Sequence, residues 1–157
     1  MGLEALPGWA RELVVNQRVA RLAFVDDRDR PRVLPVTFAL AGDAVWSAID
    51  EKPKRTLELA RLRYLERRPE AALLVDVYDD DWTRLAWVQL LGHVQVLSAG
   101  SSPEAITALA RKYEQYASRT PPGPLLRLTV ERELHWRADQ PRSTGSPRPD
   151  HSLHEPG

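Results

Sequence analysis

Leu6, Trp9, Ala10, Leu13 and Val14 fall at i, i+3, i+4, i+7 and i+8, the spacing of one helix face, with Pro7 near its start. The period then shortens. Arg21–Val25, Val33–Leu40 and Ala44–Ile49 each read as a strand, separated by the polar run Asp26–Pro31 and the turn pair Gly42-Asp43. Pro35 cannot donate to a ladder, which predicts that its strand lies at an edge or a bulge. The helical period returns over about Arg55 to Arg68, and Pro69 stops it. Ala71–Val77 is a fourth strand, Tyr78–Trp82 a polar and aromatic loop, and Arg84–Leu97 a long strand bent at Gly92. Ser101-Ser-Pro-Glu104 opens a helix whose apolar face is Ile106, Leu109, Ala110 and Tyr113. Thr120–Pro124 is a rigid turn. Leu126, Leu128 and Val130 then alternate with polar residues in a last strand reaching about Trp136. The expected order is helix, three strands, helix, two strands, helix, strand. Six closely spaced antiparallel strands, with a helix interrupting the meander, predict a mainly β fold with helices (α+β), built as a small barrel.

Length and composition narrow the classes. The chain has 157 residues, enough for one domain with a real core. Residues 1–137 carry the pattern. From Ala138 to Gly157, Pro, Ser, Gly, Arg and His dominate and no apolar period survives, so 138–157 is expected to be a disordered tail. Lys+Arg and Asp+Glu are both 22, which excludes a protein that holds nucleic acid by bulk positive charge. Cysteine is absent, excluding disulfides, thiolate nucleophiles and Cys metal sites. No apolar run approaches the roughly 18 residues of a membrane span, and no signal peptide is visible at Met1–Arg11; a cytoplasmic location is expected.

Lysine occurs only at Lys52, Lys54 and Lys112 in an arginine-rich chain, so two lysines flanking Pro53 are informative. Lys52-Pro-Lys-Arg-Thr56 stands at a strand-to-helix junction, where unpaired N–H groups and the helix dipole favour an anion. Three cations and a hydroxyl there form a phosphate or carboxylate seat; the plainer account is a solvated basic turn, though cations at a helix start oppose the dipole. Trp46, Trp82 and Trp87 lie in or beside strands and could wall a flat aromatic ligand, or simply pack the core. Asp79, Asp80 and Asp81 lack a His or Glu at ligand spacing and read as an exposed acidic turn, so no metal site is expected. His151 and His154 fall in the tail. There is no G-x-S-x-G elbow, no P-loop and no G-x-G-x-x-G fingerprint.

The order of Arg32-Val-Leu-Pro-Val-Thr-Phe38, Val45-Trp-Ser-Ala-Ile49, Lys-Pro-Lys-Arg, a helix ending in Arg68-Pro69 and Ala72-Leu-Leu-Val-Asp76 resembles the split-barrel flavin-binding group. That group includes the pyridoxamine 5′-phosphate oxidases and the deazaflavin (coenzyme F420) dependent oxidoreductases. Val75-Asp-Val-Tyr-Asp-Asp-Asp-Trp82, with Arg84 and Trp87 beyond it, is closer to the F420-dependent branch. The resemblance covers about Arg18 to Trp136. It implies a six-stranded antiparallel split β-barrel, a homodimer with cofactor clefts at the interface, and hydride transfer between F420 and an unsaturated organic substrate. Pro35, Val36 and Thr37 would lie against the ring system, and Ser47, Ala48 and Ile49 against the ring or ribityl chain. Lys52, Lys54, Arg55 and Thr56 would hold the phosphate; Trp82, Arg84 and Trp87 would line the cleft. An FMN-dependent oxidoreductase, a non-enzymatic carrier of F420 or flavin, and a ligand-free dimeric interaction domain are the competing implications. Ala86-Trp87 stands where pyridoxamine-phosphate oxidases carry Arg-Gln, and their basic C-terminal motif is not evident, which argues against pyridoxal phosphate synthesis.

Overall fold

A computed structural model describes residues 2–49 and 57–139, with the side chains of 57–59 left aside. Seven strands make one antiparallel sheet: β1 (Ala20–Val25), β2 (Pro31–Val36), β3 (Ala39–Ala41), β4 (Ala44–Ala48), β5 (Glu70–Val77), β6 (Ala86–Leu97) and β7 (Leu125–Arg137). Their order is β2-β1-β5-β6-β7-β4-β3. Four helices accompany them: α1 (Gly8–Asn16), α2 (Leu57–Arg67), α3 (Pro103–Lys112) and the short α4 (Glu114–Ser118).

The expected six strands become seven because Val33–Leu40 divides. β2 pairs with β1, and β3 pairs with β4 at the opposite edge of the sheet. Only Thr37 and Phe38 join the two edges. A chain that short reaches about 11 Å from Val36 to Ala39, so the sheet must curl until its edges nearly meet. The break is visible only through pairing partners, since the apolar run is continuous. Pro35 lies in edge strand β2, as its missing N–H requires.

Alternation then sorts the side chains. Leu22, Phe24, Leu73, Val75, Val88, Leu90, Leu126 and Leu128 point inward and fill the barrel, joined by Ala10 and Val14 of α1 and by Leu62 and Leu65 of α2. The other face is treated unequally. Over β3 and β4, Ala39, Ala44, Trp46 and Ala48 are covered by Ala105 and Leu109 of α3 and by Tyr113 and Tyr116, so β4 is buried on both sides. Over β2, β1, β5 and β6 no helix among the described residues covers the outer face.

β6 begins at Ala86; Trp82–Arg84 forms a separate 3-10 turn instead of the strand's start. The bend falls where the pattern places it. Register slips between Leu91 and Gly92, and a Cβ on Gly92 would stand 1.8 Å from the Thr129 carbonyl oxygen. Only glycine permits this crossing of β6 and β7. Ser102 caps α3, accepting from Ala105 N–H, with Pro103 in the first turn.

Candidate cofactor cleft

A cleft of about 240 Å³ opens where β2 ends beside β4. Val19, Pro35, Val36, Thr37, Ser47, Ala48 and Arg61 line it. Five of these seven are residues singled out from the sequence. β2 presents Pro35 to Thr37, and β4 presents Ser47 and Ala48 from a position fixed by its pairing with Leu126 and Leu125 of β7. The Ser47 hydroxyl donates to the Thr37 carbonyl at 2.7 Å, tying the two walls together. Ser47 is 9% exposed, and this bond satisfies it.

Ile49 behaves differently. It is buried in the barrel core and anchors the Gly123 loop: Ile49 N–H donates to Pro124 and Gly123 N–H donates to Ile49. A Cβ on Gly123 would meet the Ile49 carbonyl oxygen at 2.5 Å, so this close approach requires glycine. Lys52, Lys54, Arg55 and Thr56 lie outside the described residues, as does most of the tail, 140–157.

Trp82, Arg84 and Trp87 are not among the residues lining this cleft. Trp82 is 67% exposed on its 3-10 turn. Arg84 reaches Asp79 at 3.8 Å and Asp81 at 3.7 Å. Hydrogen bonds from the Thr83 hydroxyl and amide, with a smaller pull from Arg84, hold the Asp81 carboxyl below the usual carboxylate value. Trp87 pairs with Asp76 on one side and Trp136 on the other, on the uncovered outer face. It is three strands from β2, about 14 Å at ordinary strand spacing. Trp46 packs under α3, its indole N–H bonded to the Ala41 carbonyl at 3.2 Å. Among the described residues no group of three or more His, Asp or Glu is arranged to hold a metal ion.

Val19 and Arg61 complete the cleft. Val19 precedes a strand and carries no chemical signal. Arg61 is one of several arginines along α2, and sequence alone does not tell which of them turns toward β2.

A curled antiparallel sheet with a cleft at the β2–β4 seam defines a split-barrel protein. The model of the family described as "Pyridoxamine 5'-phosphate oxidase" matches residues 6–137, and the chain belongs to that family. None of the curated proteins matches it. Among solved structures it is similar to a conserved hypothetical protein from Mycobacterium tuberculosis, at TM-score 0.64 and 16% identity, covering 86% of this chain and 89% of that one. The heme storage protein HutZ from Vibrio cholerae gives TM-score 0.65 and 18% identity over 87% and 95%. An FAD-binding protein from Mesorhizobium loti gives 0.61 and 17% over 83% and 94%. At such identities these likenesses establish the fold. No helix of the described residues is long and apolar enough to cross a membrane.

Proposed function

We propose that the chain is a coenzyme F420-dependent oxidoreductase, binding the deazaflavin ring in the cleft between β2 and β4 and working as a cytoplasmic homodimer. The observation that carries this reading is the convergence of Pro35, Val36, Thr37, Ser47 and Ala48 on one cleft. The cofactor supplies hydride chemistry to an unsaturated acceptor; the protein's share is to bind, orient and exclude water. Pro35 and Val36 give the ring an apolar edge strand to lie on. Lys52, Lys54, Arg55 and Thr56 hold the anionic end at the start of α2. Arg61, one or two helical turns further, extends that basic groove toward a longer anionic tail.

The cleft's volume supports the homodimer. At about 240 Å³ it lies below the 300–1,000 Å³ common for pockets that enclose a cofactor-sized ligand. The uncovered outer face next to it presents Val33, 62% exposed, with Leu74, Val19 and Trp136 also exposed. A second copy laid on this face completes the cleft and shelters those side chains. In such a dimer Trp82, Arg84 and Trp87 serve the partner's cleft.

FMN on the same scaffold is the second reading, because a seat of two lysines and an arginine suits a single terminal phosphate equally well. Solved structures of similar fold also include proteins described as heme-binding, but among the described residues no histidine lines this cleft to act as an iron ligand. Titration of the purified protein with F420, FMN and haem decides among them. F420 binding in the micromolar range, weakened in Lys54→Ala by about 1.5–3 kcal/mol, is the expected result. Tight FMN binding without F420 binding transfers the assignment to a flavin enzyme. Binding of both with no acceptor-dependent oxidation of reduced cofactor makes the protein a carrier.

A further inference from the structure

A second and larger cleft, about 430 Å³, lies on the other side of Thr37. α3 ends at Lys112, the chain turns at Tyr113 into the short α4, and Arg119 to Pro122 return toward β7. The cleft sits between this turn and the β2–β3 link. Thr37 lines both clefts. Its carbonyl accepts from Ser47 on the first side, while its hydroxyl pairs with the Tyr116 hydroxyl at 2.9 Å on the second.

The lining has a definite chemistry. It carries two arginines, Arg18 and Arg119, and no carboxylate. Tyr113 and Tyr116 stand edge-to-face, their ring centroids 5.7 Å apart, and Pro121 and Pro122 supply a further flat apolar wall. Proline fixes that wall's backbone, and Gly123 pins its end against Ile49, so the space is formed before a ligand arrives. Positive charge is in excess beneath the cleft as well. The Lys112 ammonium is buried 3.6 Å from the Phe38 ring centroid without a hydrogen-bond partner among the described residues. Arg18, which donates to the Lys112 carbonyl at 2.7 Å, adds a second cation there. Burial and then the Arg18 charge bring Lys112 down to about 8.

We propose that this cleft binds a planar aromatic carboxylate of one or two rings, with the carboxylate held by Arg18 and Arg119 and the ring against Tyr116 beside Thr37. Its role as the acceptor of the redox reaction rests on the reading of the first cleft as the cofactor's seat; the binding itself does not. The Thr37–Tyr116 hydroxyl pair then stands between the two ligands, where it fixes how closely they approach.

Calorimetric titration of the full chain with 2-naphthoate and its neutral counterpart 2-naphthamide tests the site. The carboxylate should bind about tenfold or more tightly than the amide, the worth of a charged hydrogen bond. Arg119→Ala, with Arg119→Gln as a second variant, should reduce that preference severalfold and leave the F420 and FMN affinities unchanged. Equal affinities for the two probes, or a preference undiminished in both variants, overturns the proposal. Preference for naphthoate in a protein that binds neither F420 nor FMN upholds this site and removes only the cofactor reading; cofactor binding without the preference does the reverse.

Discussion

The two walls of the barrel are built from similar residues and finished differently. β4 has Val45 and Ser47 facing in, and Trp46 and Ala48 facing out beneath α3, so all five of its residues are buried. β2, β1 and β5 also face in with large apolar residues, yet their outer side leaves Val33 and Leu74 open to solvent. In register, Val33 stands opposite Ala23, Ala23 opposite Ala72, and Ala72 opposite Leu91, making an apolar row across four strands. The covered wall is finished by its own chain through contacts between residues 75 to 95 positions apart: Tyr113 OH accepts from Phe38 N–H and donates to the carbonyl of Phe38 or Arg18. Among the described residues the bare wall has no such finish, and both clefts lie along the seam between the two. The difference places both clefts where self-packing stops.

If α3 is what completes the covered wall, truncating its deepest side chain should cost most. Leu109 is wholly buried, and Leu109→Ala should lower unfolding free energy by about 2–5 kcal/mol in urea melts. A loss under 1 kcal/mol would show that α3 is an ornament on an already stable sheet. Tyr113→Phe comes next. It keeps the ring and removes the hydroxyl, leaving the buried Phe38 N–H without its 3.0 Å acceptor. The expected cost is about 1–3 kcal/mol, the penalty of an orphaned buried donor.

Much of this division was legible before the structure. Ser102 and Pro103 announce α3, Pro35 announces an edge, and Gly92 announces the bend, because caps, missing donors and absent side chains act locally. The same holds for Pro35 to Thr37 and for Ser47 and Ala48, which do share a cleft. What the order of residues hides is pairing. Nothing within Val33–Leu40 marks the handover at Thr37, which depends on the partners β1 and β4 lying beside opposite edges of the sheet. For the same reason Tyr113 reads only as a helix-face residue and Tyr116 carries no signal, although their hydroxyls reach Phe38 and Thr37. Trp82 and Arg84 belong to the cleft only in what the family resemblance implies; in one chain Trp82 is exposed and Arg84 pairs with Asp79 and Asp81.

Lys112 distinguishes the walls by titration. With its folded value lowered to about 8 from 10.5, the unfolded chain holds a proton between these values that the folded chain has released. Stability contributed at this site therefore rises with pH through that window and is flat below it. Tyr113, whose hydroxyl burial pushes upward, works in the opposite sense above its ordinary value near 10, so the comparison ends at pH 10. Urea melts at pH 7, 8, 9 and 10 should show the wild type gaining on Lys112→Met with each step above 8. A constant difference would mean that the ammonium is solvated and that the covered wall is wetter than its burial implies.

The smallest expected change in stability is on the bare wall, and it carries the largest consequence for assembly. Val33 lies on the outer face of edge strand β2, and its 62% exposure means that lysine there loses little packing within one chain. Val33→Lys should shift unfolding free energy by under about 1 kcal/mol, within the range of strand propensity and surface effects. Its effect on self-association is a separate matter. A second copy covering the row Val33, Ala23, Ala72 and Leu91 would have to bury the new ammonium without a partner, a cost that falls wholly on the dimer. Sedimentation equilibrium should then find the variant monomeric at concentrations where the wild type is dimeric, with cofactor affinity falling in parallel because the cleft at the end of β2 is left half-built. A variant that dimerises as the wild type does would move the interface off this wall, and a monomer that keeps full cofactor affinity would show that one chain encloses its ligand alone.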